Sequence, residues 1–534
     1  MKLSRTLWTF MALALLGGLI GYYLSSMRPL AFSTVSEPEA VKSVENGSSE
    51  DAREFLAQPW NEAPQLAAVD YPSAAIQGEL LLRFGSREDY FTYLQALAAA
   101  GIAPLGQIDS LLTVRIPEPA LAVAKPGDFG AEADYSYQVE SPLPPVQIDP
   151  EALARLTAFA TSARMITGGP LAGSGQGVLV AVLDSGIQAH PQFDEVSMQQ
   201  LDLVGGGVGG DGAAHGTAVA SIIAGYEGIA PDTELFVVRV LDDQGLGNSY
   251  HVAQGIVEAV DRGAQVINLS LGVYQDSTVL RAAVQYAHAS GVLMVAAAGN
   301  DGYGRMPYPA AYSEVLSVTA VDAQGQYALF PNQSDAIDFA APGVGVLTAQ
   351  EDEGTMLFSG TSAAAPFVTG TLASLLSGEA ALPAQQAVEL LQSYLNDQGA
   401  PGVDPVYGAG VLDWDRLRER TTAGIVDAAL ADIYLDPRAL PGTNMPIEVT
   451  VQNRGTAWMN GAELEVFIGE AEPVSYILNA LGPGQTTTRK VFTLIPAKGS
   501  DELLSLAARV LPASPNADVR PKNNLKVVRF RPLQ

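Results

Sequence analysis

The spacing of apolar and polar residues changes character several times along the chain. After Lys2 and Arg5 comes an almost unbroken apolar run, Leu7 to Leu24. Cations ahead of such a run address a chain to a membrane, and its length approaches the ~20 residues that span a bilayer. Two fates fit residues 1–27. One is an uncleaved anchor through residues 7–24 with a cytoplasmic amino terminus. The other is a signal peptide cut near Ala31-Phe32-Ser33, whose small residues lie well past the run. Residues 28–75, rich in Ser, Glu, Pro and Ala without a sustained period, read as a linker.

Regular periods begin at Gly78. Glu79 to Phe84 reads as a strand. Arg87 to Ala100 reads as a helix with Phe91, Leu94 and Leu97 on one face. Leu111 to Ile116 and Tyr135 to Val139 read as further strands. Residues 76–142 therefore predict a small α+β unit of the split βαβ type, ending at the proline-rich Pro142-Leu143-Pro144-Pro145. Over 143–420 the pattern becomes buried strands alternating with helices. The strands are Val178–Leu183, Leu235–Val240, Val266–Leu271 and Val292–Ala297. The helices follow His215 and cover Tyr250–Arg262, Thr278–Ala289, Ser362–Leu376 and Ala384–Leu395. That alternation predicts an α/β domain, a mostly parallel doubly wound sheet covered on both faces. Over 424–534 period-two runs such as Ile447-Glu448-Val449-Thr450-Val451 and Glu463-Leu464-Glu465-Val466-Phe467 predict a β-sandwich; Leu525 to Phe530 alternates less strictly.

Composition narrows the function classes. With 48% hydrophobic and 16% charged residues, the chain of 534 can bury several cores. A net charge of −29 without any Lys/Arg-rich run excludes a nucleic-acid reader. The absence of cysteine excludes disulfides, a thiol nucleophile and thiolate metal sites.

Three stretches carry candidate chemistry. The strand at Val178 ends in Asp184-Ser185-Gly186, a carboxylate at the carboxyl end of a buried strand, where open α/β sheets place their sites. His215-Gly216-Thr217 opens an apolar helix after the glycine-rich loop 205–212. Gly360-Thr361-Ser362-Ala363-Ala364-Ala365-Pro366 sets a serine at a helix start, with Pro366 in about the first turn, where its missing N–H does little harm. Singly these read as a turn, a structural histidine and an N-cap serine. In the order Asp…His…Ser, and with Tyr407-Gly408-Ala409-Gly410-Val411-Leu412-Asp413 as a closing segment, they resemble the subtilase family from Gly175 to Leu417.

The resemblance implies a subtilisin-like serine endopeptidase. His215 would be the general base, Asp184 its orienting carboxylate and Ser362 the nucleophile that forms an acyl-enzyme. Ala296-Ala297-Ala298-Gly299-Asn300 resembles the segment bearing the oxyanion asparagine, so Asn300 joins the Ser362 N–H as donor. Gly245, Leu246 and Gly247, with Ser270, Leu271 and Gly272, resemble strands that grip an extended peptide. With Ala297, Ala298 and Gly299 they would wall the primary pocket, and Asp301 at its rim would slightly favour a cationic side chain.

Some positions depart from the family pattern. Ala218 and Ala363 stand where His and Met are frequent. The loop Gly225 to Pro231 is short, and Gln192 stands where a calcium-ligating carboxylate would be. No cofactor is required for the chemistry, that calcium site is not carried over, and other structural calcium sites stay open. The 76–142 unit resembles an inhibitor-like prodomain, which implies self-cleavage between Ser141 and Thr161; a permanent adaptor is the alternative. Ala431 to Leu435, Val451 to Ala457 and Asn523-Asn524 resemble an immunoglobulin-like, cell-adhesion-related domain, a surface or substrate binder or else a stabilising appendage. Protein or peptide substrates and a location outside the cytoplasm follow, whether secreted, periplasmic or membrane-anchored. The rivals are a pseudoenzyme that only holds peptides and an adhesion protein acting through its β-domain. An esterase is disfavoured, because no Gly-x-Ser-x-Gly surrounds Ser362.

Overall fold

Apolar runs between Leu179 and Pro342 align as a seven-stranded sheet. Its strands are β1 (Leu179–Asp184), β2 (Met198–Asp202), β3 (Glu234–Arg239), β4 (Val266–Leu269), β5 (Leu293–Ala297), β6 (Leu316–Val321) and β7 (Phe339–Pro342). The spatial order is β7-β6-β5-β4-β1-β3-β2, and every neighbouring pair is parallel. This computed structural model describes residues 74–530 except 123–124, 143–149, 208, 210, 352, 379–380, 437–438, 497–503 and 514–517. The amino-terminal apolar run and the linker up to residue 73 lie outside the described residues. Among the described residues no helix is long and apolar enough to cross a membrane.

Both faces of the sheet are covered, so its strands are apolar without alternation. On one face Val180 and Val182 pack with helices α1 (Ala214–Ile223) and α4 (Thr361–Leu375). On the other, Ala181 and Leu183 pack with α2 (Ser249–Asp261) and α3 (Thr278–Ala289). From β1 the chain passes to the edge strand β2, returns to β3 between them, then crosses to β4 on the other side of β1 and continues to β7. The reversal opens a crevice at the carboxyl ends of β1 and β4, the place where doubly wound sheets bind ligands.

The amino-terminal unit is a four-stranded antiparallel sheet in the order Gly106–Ile108, Thr113–Pro117, Glu79–Phe84, Ala131–Asp134, with the helix Arg87–Ala99. Two sequence expectations need correction here. The helix buries Tyr90, Tyr93 and Leu97, while Phe91 is 46% exposed. The two tyrosines bury large rings and Tyr90 keeps its hydroxyl bonded to Asp109, so that stripe wins over the one through Phe91. Tyr135 to Val139 is not the last strand of this sheet. Ala131–Asp134 closes it, and Gln138–Glu140 leaves it because Val139 is buried in the α/β core beside Leu241 and Leu271.

The carboxyl-terminal region is a sandwich. Three antiparallel strands (Ala428–Leu435, Asn444–Asn453, Thr486–Leu494) face four (Val474–Leu478, Ala462–Ile468, Leu504–Pro512, Leu525–Phe530). Leu430, Val449, Leu464 and Leu506 are in the core between them. A polar joint ties it to the α/β domain. Arg416 donates to the Leu395 carbonyl (2.6 Å), Asn396 Oδ1 (3.0 Å) and the Arg454 carbonyl (3.3 Å). Gln452 donates to Leu395 O (3.1 Å), and the Gly399 N–H bonds Asp432 (2.8 Å).

Candidate active site

Asp184 closes β1 and is fully buried. Its Oδ1 accepts the Ser185 N–H (2.7 Å) and lies 2.8 Å from Nδ1 of His215, the second residue of α1. This approach requires a glycine after the histidine. A Cβ on Gly216 would come within 2.2 Å of the Gly186 carbonyl, so any side chain would push α1 off the strand end. The imidazole stands edge-on to Phe358, with centroids 5.4 Å apart. Burial pulls the His215 pKa down, but the charge and hydrogen bond of Asp184 outweigh it, and the net shift is upward. With Nδ1 facing the carboxylate, Nε2 is the nitrogen left for proton transfer. Neither Nε2 nor the Ser362 hydroxyl has a hydrogen-bond partner among the described residues.

Ser362 is the second residue of α4. The N-cap is Gly360, at a φ of 136° that disfavours any side chain, and not the serine itself. Pro366 sits one turn beyond Ser362, inside the helix, contrary to its expected place at the helix start. It cannot donate to the Ser362 carbonyl, which the i→i−4 ladder would otherwise satisfy. Ser270 fills that role: its Oγ donates to Ser362 O (3.2 Å) and accepts from Asn268 Nδ2 (3.1 Å). The missing proline N–H thus pins the serine's turn to the chain following β4.

Asn300 follows β5 by three residues. Its Oδ1 accepts both the N–H and the hydroxyl of Thr361, each at 2.9 Å. Those bonds orient the amide with Nδ2 as its donor end. His215, Asn300 and Ser362 line one cavity of about 530 Å³ whose other walls include Leu156, Val344, Met356 and Phe358. In so apolar a setting, charges and dipoles act over a low dielectric.

A segment of the chain itself lies in the groove. Gln138–Glu140 pairs antiparallel with Leu246–Asn248. On the same edge the Ser141 N–H reaches the Gly245 carbonyl (3.0 Å), and on the other Glu140 exchanges two main-chain bonds with Gly272 (3.1 and 2.9 Å). The segment is the middle strand of three, and the next residue, Pro142, lines the cavity with Ser362. Sequence reasoning did not foresee this occupant. Its signal was the alternation Gln138-Val139-Glu140 just before the prolines.

Asp301 is engaged by the Tyr274 hydroxyl. Asn332 ties this corner together. Its Oδ1 accepts from the N–H groups of Asp301 (3.1 Å) and Tyr303 (2.9 Å), and its Nδ2 donates to Tyr274 (2.8 Å) and Ala298 O (3.0 Å). The Arg305 guanidinium lies 4.7 Å from the Tyr274 ring centroid. Sequence reasoning missed all three side chains, since no motif joins positions so far apart. Away from the centre, Gln192 Nε2 donates to the carbonyls of Ser221 (2.6 Å) and Ala224 (3.0 Å). An amide donor therefore meets the oxygens at the end of α1.

Residues 175–410 match the model of the subtilase family, and residues 429–510 match the CARDB model. Subtilisin Savinase of Lederbergia lenta is 36% identical over 49% of this chain and 96% of its own length. The thermostable alkaline protease of Halalkalibacterium halodurans is 37% identical over 46% of this chain and 68% of its own. The minor extracellular protease Epr of Bacillus subtilis is 34% identical over 45% of this chain, and the match spans only 38% of that protein. Among solved structures, the prenylagaramide maturation protease PagA is 31% identical over 48% of this chain and 97% of that one, with a TM-score of 0.42. Identity at this level over nearly the full length of one relative and two thirds of another establishes that the chain belongs to the subtilase family of serine proteases.

Proposed function

We propose that the chain is a serine endopeptidase that processes itself outside the cytoplasm. The observation that carries this reading is the convergence in one apolar cavity of an Asp184-bound His215, the Ser362 hydroxyl and Asn300, with main chain already laid along the groove beside them. His215 Nε2 takes the proton of Ser362 as Oγ attacks the peptide carbonyl. Asp184 holds the Nδ1–H and stabilises the imidazolium. Asn300 Nδ2 and the Ser362 N–H, at the positive end of α4, receive the developing oxyanion. The proton passes to the departing amine, and water then releases the acyl group by the same route in reverse. These steps need no cofactor.

Residues 76–142 act as the prodomain, and the cut falls after Ser141, in the stretch up to Thr161. The run of apolar residues 7–24 behind two cations supports export, and one relative carries "extracellular" in its name. The adhesion-related likeness of the carboxyl-terminal domain supports a role in binding a surface or substrate, tested by deleting everything after Thr421.

The decisive experiment follows the full chain and its Ser362→Ala twin by intact mass. The parent loses its amino-terminal unit and the twin keeps it. If neither is cut and neither hydrolyses casein, the groove is a peptide-holding surface and the protease reading fails.

A further inference from the structure

Two walls lead from the groove to the reacting groups: the stretch Ser270-Leu271-Gly272 after β4, and Ala297-Ala298-Gly299 at the end of β5. The slot between them is filled by the ring of Pro307. A Cβ on Gly272 would lie 2.7 and 2.8 Å from Pro307 Cβ and Cγ; one on Gly299 would lie 3.1 Å from Pro307 Cδ and 2.3 Å from Asn332 Nδ2. Both walls thus touch the ring, and the slot is one ring thick. Pro307 is buried and fixed by main chain. The adjoining Tyr308 exchanges two hydrogen bonds with Val273, at 2.9 and 2.7 Å. Asn332, held by four hydrogen bonds, backs the Gly299 side.

We infer that Pro307 closes the floor of the pocket for the residue whose carbonyl is attacked (P1), so that the enzyme cuts after small residues such as Ala, Ser or Gly and rejects large aromatic ones. The inference rests on the endopeptidase reading above and adds its substrate class. A large ring entering the slot would have to displace another ring from a close-packed site, and overpacking of this kind is costly. Asp301 Oδ2 accepts the Tyr274 hydroxyl, which keeps this carboxylate at the rim and out of the slot that Pro307 fills.

The test uses the self-processed full chain and two chromogenic peptides that differ only in Ala or Phe at P1. The wild type should cleave the Ala peptide with a kcat/KM at least ~10-fold above the Phe peptide, and Pro307→Gly, which empties the slot, should reverse that order. A wild-type preference for Phe overturns the inference while leaving the protease reading intact. So does a folded Pro307→Gly variant with an unchanged ratio. No hydrolysis of either peptide by the wild type overturns the protease reading and the inference together. Should Pro307→Gly not fold, mass-spectrometric mapping of wild-type cuts in a denatured protein digest decides alone: Ala, Ser and Gly at P1 support the inference, and Phe, Tyr or Leu overturn it.

Discussion

The candidate active site and the joint to the carboxyl-terminal sandwich are both buried and polar, yet they treat their polar groups in opposite ways. At the joint, Arg416 has three acceptors, and Gln452 and Asp432 reach across to Leu395 and Gly399. At the site, His215 Nε2, Ser362 Oγ and Asp184 Oδ2 have no partner among the described residues, although Asp184 Oδ1 and the Thr361 N–H behind them are bonded. Unsatisfied buried groups cost stability. Keeping them is useful only where a substrate will complete the set. One region ties two domains together, and the other keeps two unpartnered groups that the proposed reaction would use.

The sharpest way to break that contrast is Ser362→Ala. It should lower kcat/KM by ~10⁵- to 10⁶-fold with no fall in Tm, since the variant keeps its uncut amino-terminal unit and loses an unpartnered hydroxyl from a buried site. A large fall in Tm would show that the hydroxyl is structural. Next comes Asp184→Asn, expected to cost ~10⁴-fold in kcat. It also carries a pH signature. The base must be neutral, so activity rises as pH climbs through the His215 pKa, which burial lowers but Asp184 lifts to a net position above the usual 6.5. The wild-type acid limb of kcat/KM should therefore lie above pH 6.5. In Asp184→Asn the lift is gone and the lowering by burial remains, so the limb moves to lower pH. A limb that does not move would remove Asp184 from the role. Asn300→Ala should cost ~100- to 1,000-fold in kcat with little change in KM.

The contrast also explains what could be read from sequence. Asp184, His215 and Ser362 sit at element ends inside short local patterns, and the α/β alternation places those ends at one crevice. Four of the seven strands and the helices that cover them were legible because burial on two faces writes continuous apolar runs, whereas Met198–Asp202, Leu316–Val321 and Phe339–Pro342 were not marked. Contacts made by residues without a local pattern were not legible. Ser270 answering the carbonyl that Pro366 leaves unbonded spans 92 residues. Pro307 filling the slot beside Gly272 depends on the pairing of Val273 with Tyr308. Phe91 was misplaced because helical spacing alone cannot distinguish two adjacent stripes when the winning one is made of tyrosines.

At the joint the expected effects are smaller and fall on stability. Arg416→Met deprives Asn396 Oδ1 and the Arg454 carbonyl of their Arg416 donor and leaves Leu395 O with Gln452 alone. The loss should be ~1–3 kcal/mol, read as a lower Tm with the kcat of the folded fraction intact. The subtlest effect belongs to Asp397, whose carboxyl is raised from 3.8 to about 6 by burial, opposed by Gly402 N–H bonds and reinforced by the charge of Asp404. In the unfolded chain this group releases its proton near 3.8, in the folded chain near 6. Across that window the native state binds the extra proton, so its contribution to stability falls as pH rises through the window and stays lost above it. Asp397→Asn removes the titration and keeps an acceptor for Gly402. Relative to the wild type, the variant should gain Tm as pH rises from about 4 to about 6 and hold the gain at pH 8. A Tm difference that is flat with pH would mean that Asp397 ionises no less easily in the fold than outside it. The joint would then tolerate its buried carboxylates through Arg454 and the main chain alone.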